Sequence, residues 1–557
     1  MRTDIEIAEE ARVLPISEVA ESIGICADDL RHYGKYMAKV PLRALSAFDG
    51  REDGKLILVT AITPTPAGEG KTVTTVGLIQ GLSRIGKKVV GALREPSLGP
   101  TFGIKGGATG GGHSQVYPMW DIDLHFTGDI HAVSSAHNLL SAVLENHIVK
   151  GNALGIDPTR VLLRKAMDMN CRELRDIVVG LGGRTMGGIP RESGFLITSA
   201  SEISAILALS SGPEDLRARL ERMVVAYTYD SKAVTARDLG CVGAMMILLK
   251  DAIEPNLVQT LEGQPVFVHG FPFANIAHGA NSVIATRYAL KLGDYAVTEA
   301  GFAADLGAEK FMDIVCRQTG FAPDCVVIVA SVRALMMHGG ARKDDESSMD
   351  DEALERGFAN LDKHLENLGG YGVPVVVAVN RFGRDTDGQI SAVLEHCRGL
   401  GVPAAVSTVF ADGGAGGEEL ARTVVGVIGS GGSRFCCLYE LGGTIEEKIR
   451  SVATRIYGAD GVALSPAAAR SIRDLESNGF GGLPVCIAKT QASITDDPSK
   501  KGAPKGWTLS VKDVYVSAGA GFVVPICGQM TLMPGLSSSP AALGMDLLPD
   551  GRIVGLK

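Results

Sequence analysis

Lys71 and Thr72 close a glycine-bearing stretch whose residue types suit phosphate binding, Thr63-Pro64-Thr65-Pro66-Ala67-Gly68-Glu69-Gly70-Lys71-Thr72. In such a loop the backbone amides and the N-terminus of the following helix point at the anion. Lys71 would supply a positive charge, and the hydroxyl of Thr72 would be a ligand for Mg²⁺. The usual phosphate-binding pattern opens with Gly, whereas this one opens with Thr65. Residues 65–72 are therefore predicted to bind a nucleotide, and a glycine-rich turn without a ligand is the alternative.

The segments on either side of this loop are the ones that a phosphate site requires. Lys55–Ile62 is an apolar run typical of a buried strand in a parallel sheet. From Thr72 to Gly86, apolar residues recur at roughly helical spacing. Strand, loop and helix in this order predict a phosphate cradle.

Arg94 and Glu95 end a second predicted strand, Lys87–Pro96. Ligands of open parallel sheets collect beyond the carboxyl ends of the strands, so both side chains are expected to face the crevice of Lys71. An arginine fork there would bind a phosphate or carboxylate through two parallel hydrogen bonds. The alternative is a surface ion pair between Arg94 and Glu95. The glycine-rich stretch 99–112 that follows is predicted to be a functional or disordered loop.

Two aromatic residues follow later strands. Phe382 comes after the apolar run Val375–Val379, and Phe410 follows Val406–Val409 about thirty residues on. Aromatic side chains at neighbouring strand ends would sandwich a flat heteroaromatic ligand, since offset stacking adds about 0.5–1.5 kcal/mol beyond burial. The alternative is that both belong to the core.

Composition excludes several classes of protein. With 557 residues, 45% of them hydrophobic, the chain is long enough for more than one domain. A formal net charge of −9 argues against a general nucleic-acid binder. The ten cysteines form no Cys-x-x-Cys pair and no His/Cys cluster has the spacing of a zinc site, so we expect reduced thiols in a cytoplasmic protein. No apolar run is long enough to span a membrane.

Alternating strand-like and helix-like segments predict a doubly wound α/β fold of P-loop type, with a mostly parallel sheet. The strand candidates further along the chain are Val266–Val268, Tyr295–Thr298, Cys325–Ala330 and Val373–Val379. Near the N-terminus, helices are predicted over Ile16–Ile23 and Ala27–Met37. Glycines near 369 and 430 suggest approximate boundaries, giving a domain over 1–369 and two smaller α/β domains over 370–432 and 433–557.

Along nearly its whole length the chain resembles the formate–tetrahydrofolate ligases. The motifs that carry the resemblance are 63–72, 94–107 (REPSLGPTFGIKGG), 123–129 (DLHFTGD), 273–279 (FANIAHG), 298–302 (TEAGF), 489–491 (KTQ), 517–522 (SAGAGF) and 533–536 (MPGL). So many long motifs in the right order are far more specific than the phosphate loop alone.

The resemblance implies an enzyme that joins formate to tetrahydrofolate with ATP, through formyl phosphate, giving 10-formyltetrahydrofolate, ADP and phosphate. It implies that Lys71 neutralises the transferring phosphoryl group, that Thr72 binds Mg²⁺ and that Arg94 binds formyl phosphate. It further implies a monovalent-cation site for K⁺ or NH₄⁺ that includes Glu95. Phe302, Phe382 and Phe410 would line the pterin pocket. The resemblance also implies a homotetramer with small-molecule substrates only.

Some positions depart from the family pattern, mostly on the pterin side. Phe410 stands where the family typically has Trp, Gly383 where Pro is usual, and Met336 where Lys is customary. Two alternatives to an active ligase follow. One is a divergent enzyme that passes formyl phosphate to a modified folate or another amine. The other is a nucleotide-binding protein without catalysis.

Overall fold

The computed structural model of the chain describes residues 2–66, 68–103, 109–183, 187–272, 278–342, 345, 348–528 and 530–556. The strands in chain order are β1 (Arg31–His32), β2 (Ala38–Lys39), β3 (Lys55–Ala61), β4 (Val89–Leu93), β5 (Gly110–Gly111), β6 (Ser114–Tyr117), β7 (Ile156–Val161), β8 (Lys165–Met167), β9 (Ile177–Val179), β10 (Arg191–Ser193), β11 (Phe195–Ile197), β12 (Val224–Thr228), β13 (Ala233–Thr235), β14 (Asn256–Thr260), β15 (Pro265–Val268), β16 (Tyr295–Glu299), β17 (Cys325–Ala330), β18 (Val375–Asn380), β19 (Ala404–Ser407), β20 (Gly461–Leu464), β21 (Thr508–Ser517), β22 (Phe522–Cys527), β23 (Asp546–Leu547) and β24 (Ile553–Val554).

Helices connect and cover these strands. The α-helices span Asp4–Glu10, Ile16–Ser22, Leu42–Ser46, Lys71–Arg84, Leu98–Phe102, Met119–Asp123, Asp129–Val149, Glu202–Leu209, Pro213–Arg222, Ala236–Leu239, Val242–Leu248, Val283–Leu292, Arg317–Thr319, Val332–His338, Asp351–Gly369, Asp387–Gly399, Val409–Asp412, Glu418–Gly429, Ile445–Arg455 and Pro466–Ser477. Two π-helical segments, Ala304–Ala308 and Phe311–Cys316, follow β16.

Twelve strands of the described chain form one sheet, with the main order β1-β2-β14-β15-β4-β16-β3-β17-β18-β19. From β15 to β19 every pairing is parallel. The pairs β14–β15 and β2–β14 are antiparallel. Since parallel strands end at the same edge, the residues that follow β4, β16, β3, β18 and β19 lie along one edge of the sheet.

Both faces of the sheet are buried, which explains why its strands are apolar throughout rather than alternating. In β3, Leu56 belongs to one core cluster and Ile57 to the other. The helix Val283–Leu292 packs into the first cluster, and Lys71–Arg84 packs into the second. The predicted α/β class with a large, mostly parallel sheet is therefore confirmed.

Most predicted elements of the sheet are confirmed to within a few residues, and Cys325–Ala330 has the predicted ends. The helix predicted over Ala27–Met37 is wrong. Ala27–Asp29 forms a 3₁₀ turn, and β1 and β2 then pair as an antiparallel hairpin. Gly34 lies in the connection with φ +76°, a left-handed conformation that ends helical geometry.

The domain boundaries stay predictions. The first, at 369/370, falls between the helix Asp351–Gly369 and β18, and β18 and β19 continue the same sheet as β17. After the second boundary, at 432/433, β20, β21 and β22 form a separate three-stranded sheet. Within the described residues, no helix is both long enough and apolar enough to cross a bilayer.

Candidate functional site

The loop between β3 and the helix Lys71–Arg84 is shaped by two glycines. Gly68 and Gly70 have φ +78° and +75°, which side-chain-bearing residues rarely adopt. At Gly70 there is also no room for a side chain, because a Cβ would lie 2.1 Å from Nδ2 of Asn380. That Asn380 amide donates a hydrogen bond of 2.9 Å to the carbonyl of Glu69. The end of β18 thus holds the loop in place just before the helix begins.

Glu69 folds back onto the start of the same loop. Its Oε1 accepts hydrogen bonds from the amide of Thr65 at 2.6 Å and from the Thr65 hydroxyl at 3.0 Å. The carboxylate is 8% exposed, so these bonds are largely shielded from water. Pro66 lies within this closed loop, and Ala67 lies outside the described residues. The predicted nucleotide-binding residues therefore form a compact turn with a helix N-terminus beside it.

Glu299, the last residue of β16, brings the predicted catalytic residues together. Its Oε1 accepts a hydrogen bond of 2.9 Å from Nη2 of Arg94, and its Oε2 accepts one of 3.0 Å from the hydroxyl of Thr72. Lys71 Nζ lies 3.8 Å from Oε2 and donates to the carbonyl of Ala300. We call Lys71, Thr72, Arg94 and Glu299 the phosphate side of the site.

The phosphate side carries a net positive charge in a shielded place. The side chains of Lys71 and Arg94 are 13% and 15% exposed, and that of Glu299 is 1% exposed. Burial opposes ionisation of Glu299. The charges of Lys71 and Arg94, with the hydrogen bonds from Arg94 and Thr72, outweigh burial and hold the pKa of Glu299 below its ordinary value. Two cations around one carboxylate leave one positive charge for an anionic ligand.

Two further features of Arg94 favour an anion beside it. The Nε of Arg94 is buried, and within the described part of the chain it has no hydrogen-bond partner. His278 is buried nearby, and burial together with the charge of Arg94 lowers the pKa of His278 to about 3. The imidazole is thus neutral and adds no second positive charge. Arg94 therefore has an Nε–H donor of the kind that a buried guanidinium normally uses in a hydrogen bond.

Glu95 has different neighbours from Arg94. It is 1% exposed, and burial, reinforced by the charge of Asp129, raises its pKa well above the ordinary value. Lys39 opposes this shift and forms a buried ion pair of 2.8 Å with Asp129. Burial also raises the pKa of nearby Asp168, to about 6. The two neighbours Arg94 and Glu95, expected in one crevice, thus have separate charged surroundings.

Phe382 and Phe410 follow adjacent strands, as predicted. β18 and β19 pair in parallel, with Asn380 opposite Ser407. The two rings are 41% and 45% exposed, so neither is a core residue. We call Phe382 and Phe410 the aromatic side of the site. Their half-exposed faces suit stacking with a flat ligand whose faces are removed from water on binding.

Phe302 stands apart from this pair. It follows β16, three strand positions from β18, which corresponds to about 14 Å at the usual strand spacing. Its φ of +57° is left-handed, a conformation uncommon for a bulky residue and typical of functional loops. It lies two residues after Ala300, whose carbonyl accepts a hydrogen bond from Lys71. Phe302 is therefore next to the phosphate side.

Glu299 is not among the residues predicted for the site from sequence, although it contacts three of them. Its position in the sequence could have indicated a role, because Glu299 is a charged residue at the carboxyl end of an apolar strand, as Arg94 is. Its partners, however, are more than 200 positions away in sequence. Among the described residues, no group of three or more His, Cys, Asp or Glu side chains is placed to hold a metal ion.

A parallel α/β sheet with a shielded Lys–Arg–carboxylate cluster at a helix N-terminus defines an anion-binding enzyme site of the α/β class. Comparison with known proteins narrows this class. The family model for formate–tetrahydrofolate ligase matches residues 2–557. A formate–tetrahydrofolate ligase of Symbiobacterium thermophilum is 56% identical over 557 residues, which covers all of both chains.

The chain therefore belongs to the formate–tetrahydrofolate ligase family and is a ligase. Neither comparison favours the divergent or non-catalytic alternatives, because identity extends over the full length of a curated ligase.

Proposed function

We propose that this protein ligates formate to tetrahydrofolate with ATP, giving 10-formyltetrahydrofolate, ADP and phosphate through formyl phosphate. The observation that carries the proposal is the contact of Lys71, Thr72 and Arg94 with the buried Glu299. Membership of the ligase family supplies the reaction. The cluster of positive side chains around Glu299 supports placing the phosphoryl-transfer step of that reaction on the phosphate side.

ATP binds with its terminal phosphates at the start of the helix Lys71–Arg84. The backbone amides of Gly70, Lys71 and Thr72 at the helix N-terminus stabilise the phosphate oxygens, and the side chain of Lys71 neutralises the γ-phosphoryl group. Thr65, Pro66, Gly68, Glu69 and Gly70 form the compact turn that presents these amides, with Ala67 in the same stretch. Lys71 can leave the Ala300 carbonyl for the phosphate because its side chain is flexible.

Thr72 and Glu299 suit Mg²⁺ as ligands. Their oxygens lie 3.0 Å apart at the helix start, and Mg²⁺ prefers oxygen donors, with substrate phosphates completing its coordination. When bound, the ion withdraws charge from the phosphates. We expect Glu299→Gln to raise the Mg²⁺ concentration for half-maximal rate about 10-fold. An unchanged Mg²⁺ requirement would remove Glu299 from this role.

Formate is a poor acylating agent because its carboxylate is anionic and oxide is a poor leaving group. A formate oxygen attacks the γ-phosphorus, and the bond to ADP breaks with its electron pair leaving on ADP. Arg94 binds the resulting formyl phosphate through Nε, which has no hydrogen-bond partner among the described residues. Nitrogen-10 of tetrahydrofolate then attacks the formyl carbon, the carbon–oxygen bond to phosphate breaks with its electron pair leaving on phosphate, and nitrogen-10 loses its proton to the departing phosphate or to water. These steps need positioning and charge stabilisation rather than a covalent protein nucleophile.

The pterin binds between Phe382 and Phe410, with Phe302 at the boundary to the phosphate side. The two half-exposed rings lie at adjacent strand ends, which suits stacking on either face of a bicyclic ligand. A folate bound there would have to extend along the strand ends to reach the formyl phosphate, because Arg94 follows β4, four strand positions from β18.

Glu95 is proposed as part of a site for K⁺ or NH₄⁺. Its Oε2 is buried and has no hydrogen-bond partner in the described part of the chain, and Asp129 adds negative charge. A cation would satisfy this carboxylate. We expect K⁺ to raise the melting temperature more than Na⁺ does, and Glu95→Gln to abolish that difference. Equal effects of both ions would refute the site.

The assay that tests the proposed function measures ADP release with formate, Mg-ATP and tetrahydrofolate, each omitted in turn. Full turnover is expected only with all three. ADP release that does not depend on formate would contradict the proposal. We also propose a homotetramer, on family grounds, and sedimentation of the purified protein tests it.

A further inference from the structure

Thr63 opens the loop that leads from β3 to Lys71, and side chains hold every polar group it has. Its carbonyl accepts a hydrogen bond of 2.8 Å from Nε2 of His338. Its hydroxyl lies 2.9 Å from Nε2 of His364 and accepts from Nδ2 of Asn360 at 3.0 Å. Its amide donates to Oδ1 of Asn360 at 3.3 Å. Backbone position and side-chain rotamer are thus both fixed at this residue.

The three residues that hold Thr63 sit on a rigid support. Asn360 and His364 are one turn apart on the helix Asp351–Gly369, so both face the same side. His338 ends the helix Val332–His338, which packs closely against the first. At Gly357 a Cβ would lie 2.0 Å from the carbonyl of Leu335, so the two helices touch through their backbones.

Asn360 also contacts a distant part of the chain. Its Nδ2 donates a second hydrogen bond, of 2.9 Å, to the carbonyl of Gly502. The segment 489–502 containing Gly502 is anchored further by the buried ion pair of Lys489 with Asp305, at 2.8 Å. One amide group therefore joins the start of the phosphate loop to a segment more than 400 residues later.

A structural role alone explains this arrangement poorly. Asn360 and His364 are fully buried, and burying polar groups costs free energy that apolar packing would not. Such a hydrogen-bonded network provides a defined geometry at Thr63, although Nδ1 of His338 and Nδ1 of His364 have no hydrogen-bond partner among the described residues. Burial also lowers the pKa of both His338 and His364 to about 4, so at neutral pH both imidazoles are uncharged. The network thus fixes the orientation of Thr63 without adding positive charge near the proposed phosphate site.

We infer that Asn360 and His364 are positioning residues for nucleotide binding. Through Thr63 they fix the direction in which the chain leaves β3 toward the amides at the start of the helix Lys71–Arg84, and through Gly502 they make that direction depend on segment 489–502. The inference rests on the proposed function, because it takes the nucleotide to bind at this loop.

The test uses the full-length protein and compares Thr63→Val with Thr63→Ser. Valine has the shape of threonine without the hydroxyl, so it removes the hydroxyl contacts to His364 and to Nδ2 of Asn360 and leaves the backbone contact to Oδ1 of Asn360. Serine keeps all three contacts. We expect Thr63→Val to raise the dissociation constant and KM for ATP about 10-fold while KM for tetrahydrofolate changes less than twofold. Thr63→Ser should stay within threefold of the wild type for ATP.

Asn360→Leu and Asn367→Leu form a matched pair on the same helix. Asn367 is also buried and donates to a carbonyl, that of Ile456, at 2.9 Å, but this bond does not reach Thr63. We expect both variants to lose thermal stability and only Asn360→Leu to weaken ATP binding, about 10-fold. Equal weakening in both would overturn the inference by showing a general loss of stability.

Hydrogen exchange on the wild type tests the link to segment 489–502 without any variant. Addition of ATP is expected to slow exchange in 489–502 at least threefold, and unchanged exchange would overturn the link. Wild-type protein that does not bind ATP would refute the proposed function itself. Wild-type binding with unaltered affinity in Thr63→Val would refute the positioning role alone.

Discussion

The phosphate side and the aromatic side lie at one edge of one sheet but are built differently. On the phosphate side, Lys71, Arg94 and Glu299 are at most 15% exposed and bonded to one another. On the aromatic side, Phe382 and Phe410 are 41% and 45% exposed. Charged groups act on a transition state only when they are held in place beforehand, whereas stacking tolerates adjustment. We therefore expect the phosphate side to be arranged before its ligand binds and the aromatic side to be completed by its ligand.

Lys71→Ala should have the largest effect and tests whether the phosphate side performs the chemistry. Turnover should fall about 1,000-fold or more, because the phosphoryl group loses its neutralising charge. ADP release in the complete assay measures this. The control Lys88→Ala removes an exposed lysine beyond the same helix and should retain full activity. A Lys71→Ala enzyme within tenfold of the wild type would show that the phosphate side is not the reaction centre.

Arg94→Ser should lower kcat about 100- to 1,000-fold, with a smaller change in KM for formate, because we propose that Arg94 contacts the charged intermediate. Arg94→Lys keeps the charge but lacks the planar fork of the guanidinium, so its kcat should lie between those of the wild type and Arg94→Ser. Steady-state kinetics with varied formate separate these effects. Near-normal turnover in Arg94→Ser would remove Arg94 from the mechanism.

Acid should destabilise the buried histidines that hold Thr63, and with them the start of the loop on the phosphate side, before it affects the aromatic rings. Burial lowers the pKa of His338 and His364 to about 4 in the folded protein, against about 6.5 when unfolded. The unfolded state then binds more protons, so stability is full above pH 6.5 and falls as pH drops toward 4. At pH 5 each histidine should cost about 2 kcal/mol of unfolding free energy.

Urea unfolding at pH 7.5 and pH 5 measures this loss. His364→Gln removes one titrating group, so its stability should fall less between the two pH values than that of the wild type. An identical fall in the variant would show that His364 does not titrate in this range.

Phe410→Trp should have the smallest effect and is confined to the aromatic side. A larger ring adds stacking area, so KM for tetrahydrofolate should fall about two- to fivefold, in line with about 0.5–1 kcal/mol. Phe410→Leu should raise it, and KM for ATP should change in neither variant. If tetrahydrofolate KM is unmoved by both substitutions, Phe410 does not contact the pterin.

The buried parallel strands were predictable because apolar residues on both faces of a strand produce continuous hydrophobic runs, as in Cys325–Ala330. That Lys71, Thr72 and Arg94 lie at one edge of the sheet was predictable from their positions at strand ends. The contact of Glu299 with them was not, because it depends on β16 lying between β3 and β4, which only the sheet order reveals. The hairpin of β1 and β2 was not predictable from hydrophobic periodicity, because a left-handed turn such as the one at Gly34 produces no helical or strand-like pattern in the sequence.

The hydrogen bond from Asn380 to the carbonyl of Glu69 has a consequence for redesign. Asn380 belongs to the strand that carries Phe382, so a shift of that strand also moves the nucleotide loop. Engineering for a new amine acceptor should therefore exchange side chains at 382 and 410 and keep the backbone of β18 fixed. Insertions near 380 would disturb both substrates at once.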